Sequence, residues 1–296
     1  MALHNNFDEK LLDGIVGVSY IGNPKDNTIM YLTKKIEGKI GGLANTKNAL
    51  VFLENGVVVP DAIVDQNKYV FCDDPPSMYT CVVMKMAEKR DADLRKKKYT
   101  LTTDGYYVGE DVVLGKNAYI EPGVLIDHNV KIGDNTVVKA GAKIRFDTII
   151  GDNCVIGENT VIGEPGFNAA TMDNGDETII PCFGRVIIED GVYIGSSVTI
   201  SKGVAGNTVI GHNVLVDSSC RIGHDAVISH HVEICGGTIV GGYVFVGNHT
   251  FVGNASVLKN RTYVGNDCFV GIGSVVIRNI KDSERVFGVP AKKILF

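Results

Sequence analysis

The chain has 296 residues, 45% of them hydrophobic and 21% charged, with 35 glycines and no tryptophan. This composition suits a packed globular protein and excludes a disordered or collagen-like one. The formal net charge of −5 argues against nucleic acid as the main partner, since phosphate binding needs a basic face.

The first residues, MALHNNFDEKLLDG, lack a basic stretch followed by an apolar core, and no apolar run is long enough to span a bilayer. The expectation is a soluble, cytoplasmic protein without membrane insertion. Residues 1–100 read as a small α/β domain, with strands predicted near 28–32, 49–53 and 69–72. Asp73-Asp74-Pro75-Pro76 opens a helix whose apolar face is Tyr79, Val82, Val83 and Met86, and which Lys89 and Arg90 close. A charged stretch from Asp91 to Asp104 contains the basic run Arg95 to Lys98 and reads as a solvated linker.

From Val108 an aliphatic residue occupies every sixth position without exception through Leu114, Ile120 and Ile126 to Ile162. The beat resumes at Ile188, Ile194 and Ile200, slips by four residues, and runs from Ile210 to Val276. Two residues before each beat the side chain is small or β-branched, as in Thr136, Cys154, Thr160, Cys220 and Cys268. Glycine follows the beat at Gly109, Gly115, Gly133 and Gly223, and Asn or Asp recurs nearby (Asp134, Asn135, Asp152, Asn153). The expected reason is tolerance of the positive φ angles of tight corners. Short strands joined by corners every six residues make a three-sided parallel β-solenoid of about eighteen residues per coil over residues 101–280. An excursion, residues 164–183, interrupts it, and such a loop is usually functional or a subunit contact.

The seven cysteines show no CxxC or Cys/His metal spacing, and three of them fill the inward slot of the repeat; neither a disulfide framework nor a zinc site is indicated. Residues one coil apart stack, so Gly242 lies above His224. On spacing alone Gly242 is either a plain corner or a backbone donor facing the histidine. His212 and His230, continued by Asn248 and Asn266, form a separate row that reads as structural.

The segment ISKGVAGNTVIGHNVLVDSSCRIGHDAVISHHVEICGGTIVGG (200–242) resembles the UDP-3-O-acylglucosamine N-acyltransferases of lipid A synthesis, within the hexapeptide-repeat acyltransferases. Gly166-Phe167 and Gly184-Arg185-Val186-Ile187 follow that family's order as well. The resemblance implies a mainly β fold, a left-handed parallel β-helix preceded by a small α/β nucleotide-recognition domain, in a homotrimer. It further implies acyl transfer from a thioester to an amine, with His224 as general base, Gly242 as oxyanion donor and the Gly166-Phe167 loop at the substrate. An imidazole suits that proton transfer. Asp225 after His224 is similar to the His-Glu pair of bacillosamine-type nucleotide-sugar acetyltransferases and is one candidate to orient the ring; Asp217 is another.

Three departures bear on substrate. The given sequence stops twenty residues after Val276, without the helices that hold acyl carrier protein in the lipid A enzymes. Residues 281–296 instead end in GVPAKK, which resembles acetyl-CoA-dependent sugar acetyltransferases; there Lys292 and Lys293 can meet the coenzyme phosphates, or form a solvated pair. Tyr31 alone remains to stack on a nucleotide base, and Arg261 replaces a family histidine and could grip a phosphate or carboxylate. The expectation is transfer of a short acyl group, acetyl from acetyl-CoA, to a nucleotide-linked amino sugar for surface polysaccharide such as O-antigen. The alternatives are a lipopolysaccharide N-acyltransferase using 3-hydroxyacyl carrier protein, and a noncatalytic solenoid scaffold. The close histidine pair of zinc-dependent relatives on this scaffold is missing, so no metal is expected.

Overall fold

The computed structural model describes residues 7–171 and 175–294; Asp173 and Asn174 of the excursion lie outside the described residues. The chain forms two compact units, Met1–Ala92 with Phe167–Phe183, and Asp93–Gly166 with Gly184–Phe296.

In the first unit four parallel strands, β1 (Gly17–Val18), β2 (Thr28–Leu32), β3 (Leu50–Glu54) and β4 (Lys68–Cys72), lie in chain order. Parallel strands covered on both faces read as continuous apolar runs, and Leu50, Val51, Phe52 and Leu53 are fully buried. Helix α1 (Pro75–Leu94) starts where the Asp74 carboxylate accepts the Ser77 N–H at 3.2 Å. It continues one turn beyond Lys89 and Arg90, because Asp91 to Leu94 contains no helix breaker. The excursion forms a hairpin, Ala169–Thr171 against Glu177–Ile179. Its return is pinned by Arg90, whose Nη1 donates to the Cys182 carbonyl at 2.7 Å and whose guanidinium lies 4.7 Å from the Phe183 ring.

The second unit is the solenoid. Its first face carries strands beginning at Tyr107–Val108, its second at Val113–Leu114 and its third at Tyr119–Ile120. Each strand pairs in parallel with the one a coil later, as Ile132 with Ile150 and Ile222 with Val240. The beat residues from Ile126 to Val276 are at most 2% exposed and form one continuous core with Val124, Cys154, Cys220 and Cys268. The basic run is no free linker. Lys97 pairs with Asp111 at 2.6 Å and the Lys98 N–H donates to Glu110 at 2.9 Å, tying this stretch to the first coil.

The corners correct the expected reason for the glycines. Left-handed φ falls three residues after the beat at the regular corners, as at Asp111, Asn117, Asn129, Asn135 and Asn153, where Asn and Asp are the tolerated side chains. Apart from Gly163 after Ile162, at φ 88°, glycines directly after the beat do not adopt positive φ. They are there because stacked coils leave no room: a Cβ on Gly109 would lie 2.7 Å from the His128 nitrogen, and one on Gly223 2.6 Å from the Gly242 nitrogen. The residue between them uses its side chain to accept the N–H one coil below. Asp134 accepts from Lys116 at 2.7 Å, His128 from Glu110 at 2.8 Å, and Asn248 from His230 at 3.0 Å.

Candidate functional site

His224 follows strand Arg221–Ile222 at the corner leaving the first face and is 8% exposed. Two glycines make space for its ring. A Cβ on Gly166, at the end of the strand region two coils below, would lie 2.6 Å from His224 Cβ and 2.8 Å from Cγ; one on Gly242 would lie 2.7 Å from Nε2 and 2.9 Å from Cε1. Any side chain at either position would enter the imidazole. Among the described residues no group accepts the Gly242 N–H, while its carbonyl takes the Arg261 N–H at 2.9 Å.

The far nitrogen of the ring is committed. Nδ1 lies 2.9 Å from Oδ2 of Asp225, itself 8% exposed and at φ 55° in the left-handed corner position. The same carboxylate accepts the Val204 N–H on Oδ2 at 2.8 Å and the Gly206 N–H on Oδ1 at 2.7 Å. Asp225 is placed by its own N–H, which donates to Thr208 Oγ1 at 2.9 Å; that hydroxyl donates to the Ser201 carbonyl at 2.7 Å. An acceptor-only carboxylate holds the hydrogen on Nδ1 and leaves a lone pair on Nε2, the ring atom nearest Gly242. Asp217, the other candidate orienter, is used elsewhere: its oxygens accept the Ser218 N–H at 2.7 Å and the Gly236 N–H at 3.0 Å.

Two further residues stack on this corner. The Tyr243 ring stands edge-on to His224, centroids 5.0 Å apart, and the Arg261 guanidinium lies 4.1 Å from the Tyr243 ring. Both are bulky residues at positive φ, 58° and 63°, a conformation that costs of order 1 kcal/mol each and gathers at functional positions. Tyr243 escaped the sequence reading. Its signal is a tyrosine at the corner position where Asn, Asp or Gly is commonest.

Tyr31 belongs to the first unit, its ring 5.2 Å from that of Tyr79, as does Phe167, which is 74% exposed. At the last coil Lys293 pairs with Glu284 at 2.8 Å and holds that carboxyl below its ordinary value, while Lys292 is exposed. His212 and His230 form the anticipated ladder, the His212 N–H donating to His230 Nδ1 at 3.1 Å. Among the described residues no group of three His, Cys, Asp or Glu is arranged to hold a metal, and no helix is long and apolar enough to cross a membrane.

Comparison with known proteins agrees with this architecture. The family described as bacterial transferase hexapeptide (six repeats) matches residues 111–146 and 129–164. The UDP-3-O-acylglucosamine N-acyltransferase of Pseudoalteromonas translucida (strain TAC 125) is 43% identical over 72 residues, 24% of this chain and 21% of that protein. The chain thus spans about a fifth of the length of that curated relative. Among solved structures, UDP-N-acetylglucosamine acyltransferase from Campylobacter jejuni matches with a TM-score of 0.58 at 24% identity, covering 66% of this chain and 74% of the other. The corresponding protein of Bacteroides fragilis 9343 matches with a TM-score of 0.58 at 23% identity over the same shares. The fold of the second unit is therefore a left-handed parallel β-helix, and its coils from residue 111 to 164 match the bacterial transferase hexapeptide description.

Proposed function

We propose that the chain is an N-acyltransferase that moves a short acyl group, acetyl from acetyl-CoA, to the amine of a nucleotide-linked amino sugar. The observation that carries this reading is the pairing of a buried imidazole, its Nδ1 held by Asp225, with a glycine one coil above whose N–H has no acceptor among the described residues. Nε2 of His224 takes a proton from the amine as its nitrogen bonds to the thioester carbonyl. The oxyanion accepts the Gly242 N–H, an interaction worth roughly 3 kcal/mol. Collapse breaks the carbon–sulfur bond, and the thiolate leaves with the proton held by the imidazolium, giving an amide and a free thiol.

The relatives named above act, by their names, on uridine-diphosphate amino sugars, which supports an acceptor of that class. In this reading Arg261 and the exposed Lys292 meet acidic groups of the substrates. A homotrimer is part of the proposal: Tyr119, Tyr193 and Leu215 leave exposed apolar surface along the third face, 59%, 45% and 46% accessible, of the kind that marks subunit contacts. A second reading, which follows the resemblance to the lipid A N-acyltransferases, takes the acyl group from a carrier protein. Thiol release from acetyl-CoA, compared with consumption of 3-hydroxyacyl carrier protein across a set of nucleotide amino sugars, separates the two. Replacing His224 by Ala lowers turnover about 10²-fold or more with the melting temperature retained; near-normal turnover excludes the histidine as base.

A further inference from the structure

The six-residue beat is broken twice in the second unit, and the second break lies against Asp225. Across the first, Ile162 pairs with Ile200; across the second, Ile200 pairs with Ile222, four residues more than a normal coil. The four extra residues, Gly203 to Gly206, are what bring the Val204 and Gly206 N–H groups onto the two oxygens of Asp225, at 2.8 and 2.7 Å. Asp217 also takes two backbone N–H groups, but from Ser218 beside it and Gly236 one coil on; at Asp225 both come from the inserted residues. At a regular corner the N–H of a lower coil is ordinarily taken by a side chain of the coil above, one bond per coil, as from Lys116 to Asp134.

The short insertion is itself braced by the chain returning from the long one. The Gly184 N–H donates to the Gly203 carbonyl at 3.0 Å, the Arg185 N–H to Asn207 Oδ1 at 3.2 Å, and the Arg185 carbonyl accepts the Thr208 N–H at 3.0 Å. A Cβ on Gly184 would fall onto the Gly206 carbonyl oxygen, so this glycine is required by close approach of two backbones. Arg185 is held in turn by Asp147, Nη2 to Oδ2 at 2.9 Å.

We propose that residues 203–206 are a carboxylate clamp, braced by Gly184 and Arg185, whose role is to fix Asp225 and through it the tautomer and aim of the His224 ring. The backbone donors at Val204 and Gly206, with Gly184, are positioning elements; none touches the reacting atoms. Two N–H groups, one on each oxygen, leave the carboxylate one orientation in which Oδ2 still faces Nδ1. Without the clamp the side chain is free to rotate, and the ring can exchange its hydrogen between Nδ1 and Nε2. The role assigned to the ring rests on the acyltransfer reading; the clamp itself is tested without it.

The test uses the full-length protein with 15N-labelled histidine, the His224 signals being assigned by their loss in His224→Ala. Long-range proton–nitrogen correlations then report which ring nitrogen carries hydrogen. Wild type should show His224 in the Nδ1–H form, and Gly184→Ala and Val204→Pro a mixture of both tautomers. Asp225→Asn serves as the second perturbation should either backbone variant fail to fold, because one amide oxygen cannot face both backbone donors, and it too should give mixed tautomers. Turnover is expected to fall 10-fold or more in each variant with little change in KM, and the pH profile of turnover to shift. An unchanged Nδ1–H signal in a folded Gly184→Ala or Val204→Pro protein overturns the clamp. A changed tautomer in a protein that transfers no acyl group upholds the clamp and counts against the function.

Discussion

Replacing Gly242 by Ala puts the proposed geometry under its most direct strain. The added carbon would stand 2.7 Å from His224 Nε2, 2.9 Å from Cε1 and 3.1 Å from Cδ2, whereas ordinary contact begins at about 3.5 Å. The ring must therefore retreat by about 0.8 Å at Nε2. Retreat is opposed by Gly166 and by the 2.9 Å bond from Nδ1 to Asp225, whose alignment a shifted ring would lose. Overpacking of this kind costs about 1–3 kcal/mol of stability, and a displacement near 1 Å at a reacting group costs about 10²-fold in rate. Turnover measured by thiol release should fall about 10²-fold while the protein remains folded. Turnover within about threefold of wild type, against that 10²-fold expectation, would refute both the contact and the claim that Nε2 works on the Gly242 side.

Other consequences can be checked separately. Asn248→Ala removes the acceptor of the His230 N–H, a 3.0 Å bond on the structural ladder; the loss is about 1 kcal/mol, read as a drop of about 2–4 °C in melting temperature with turnover unchanged. The Tyr99 hydroxyl is pushed up from 10.0 to about 12, first by burial and then by its 2.7 Å donation to Asp127. Because the folded state favours the protonated form, this stabilisation is complete below pH 10.0 and is lost as the pH rises through about 12. Ultraviolet titration of wild type against Tyr99→Phe should show one phenol with a midpoint near 12; a difference titrating near 10 contradicts the bond to Asp127.

The period of the aliphatic residues was enough to set the coil length, the buried face and the stacking of Gly242 over His224, since each follows from spacing alone. The cause of the corner glycines was not legible. Steric room between coils and tolerance of positive φ both select glycine, and only coordinates separate Gly223, which yields space, from Gly237, which adopts φ 70°. The choice between Asp225 and Asp217 was closed for a similar reason. It depends on two backbone N–H groups of the 203–206 insertion, and a sequence shows that four residues were added without showing where their amides point. Helix α1 outran its expected end because Lys89 and Arg90 favour a helix terminus through charge but do not enforce one.

Parallel strands stacked in register are also a template for unlimited growth, since an open edge can accept another chain. The final coil closes all three of its edges. On the third face Lys292–Lys293 turns back antiparallel on Arg285–Phe287; on the second Ile280 bridges Val264; on the first the Gly288 carbonyl and the Ala291 N–H take up both hydrogen-bonding groups of Val275. The short return of residues 288–293 thus acts as a stopper against fibre formation. Removing it would be felt as loss of solubility, a hazard separate from any loss of catalysis.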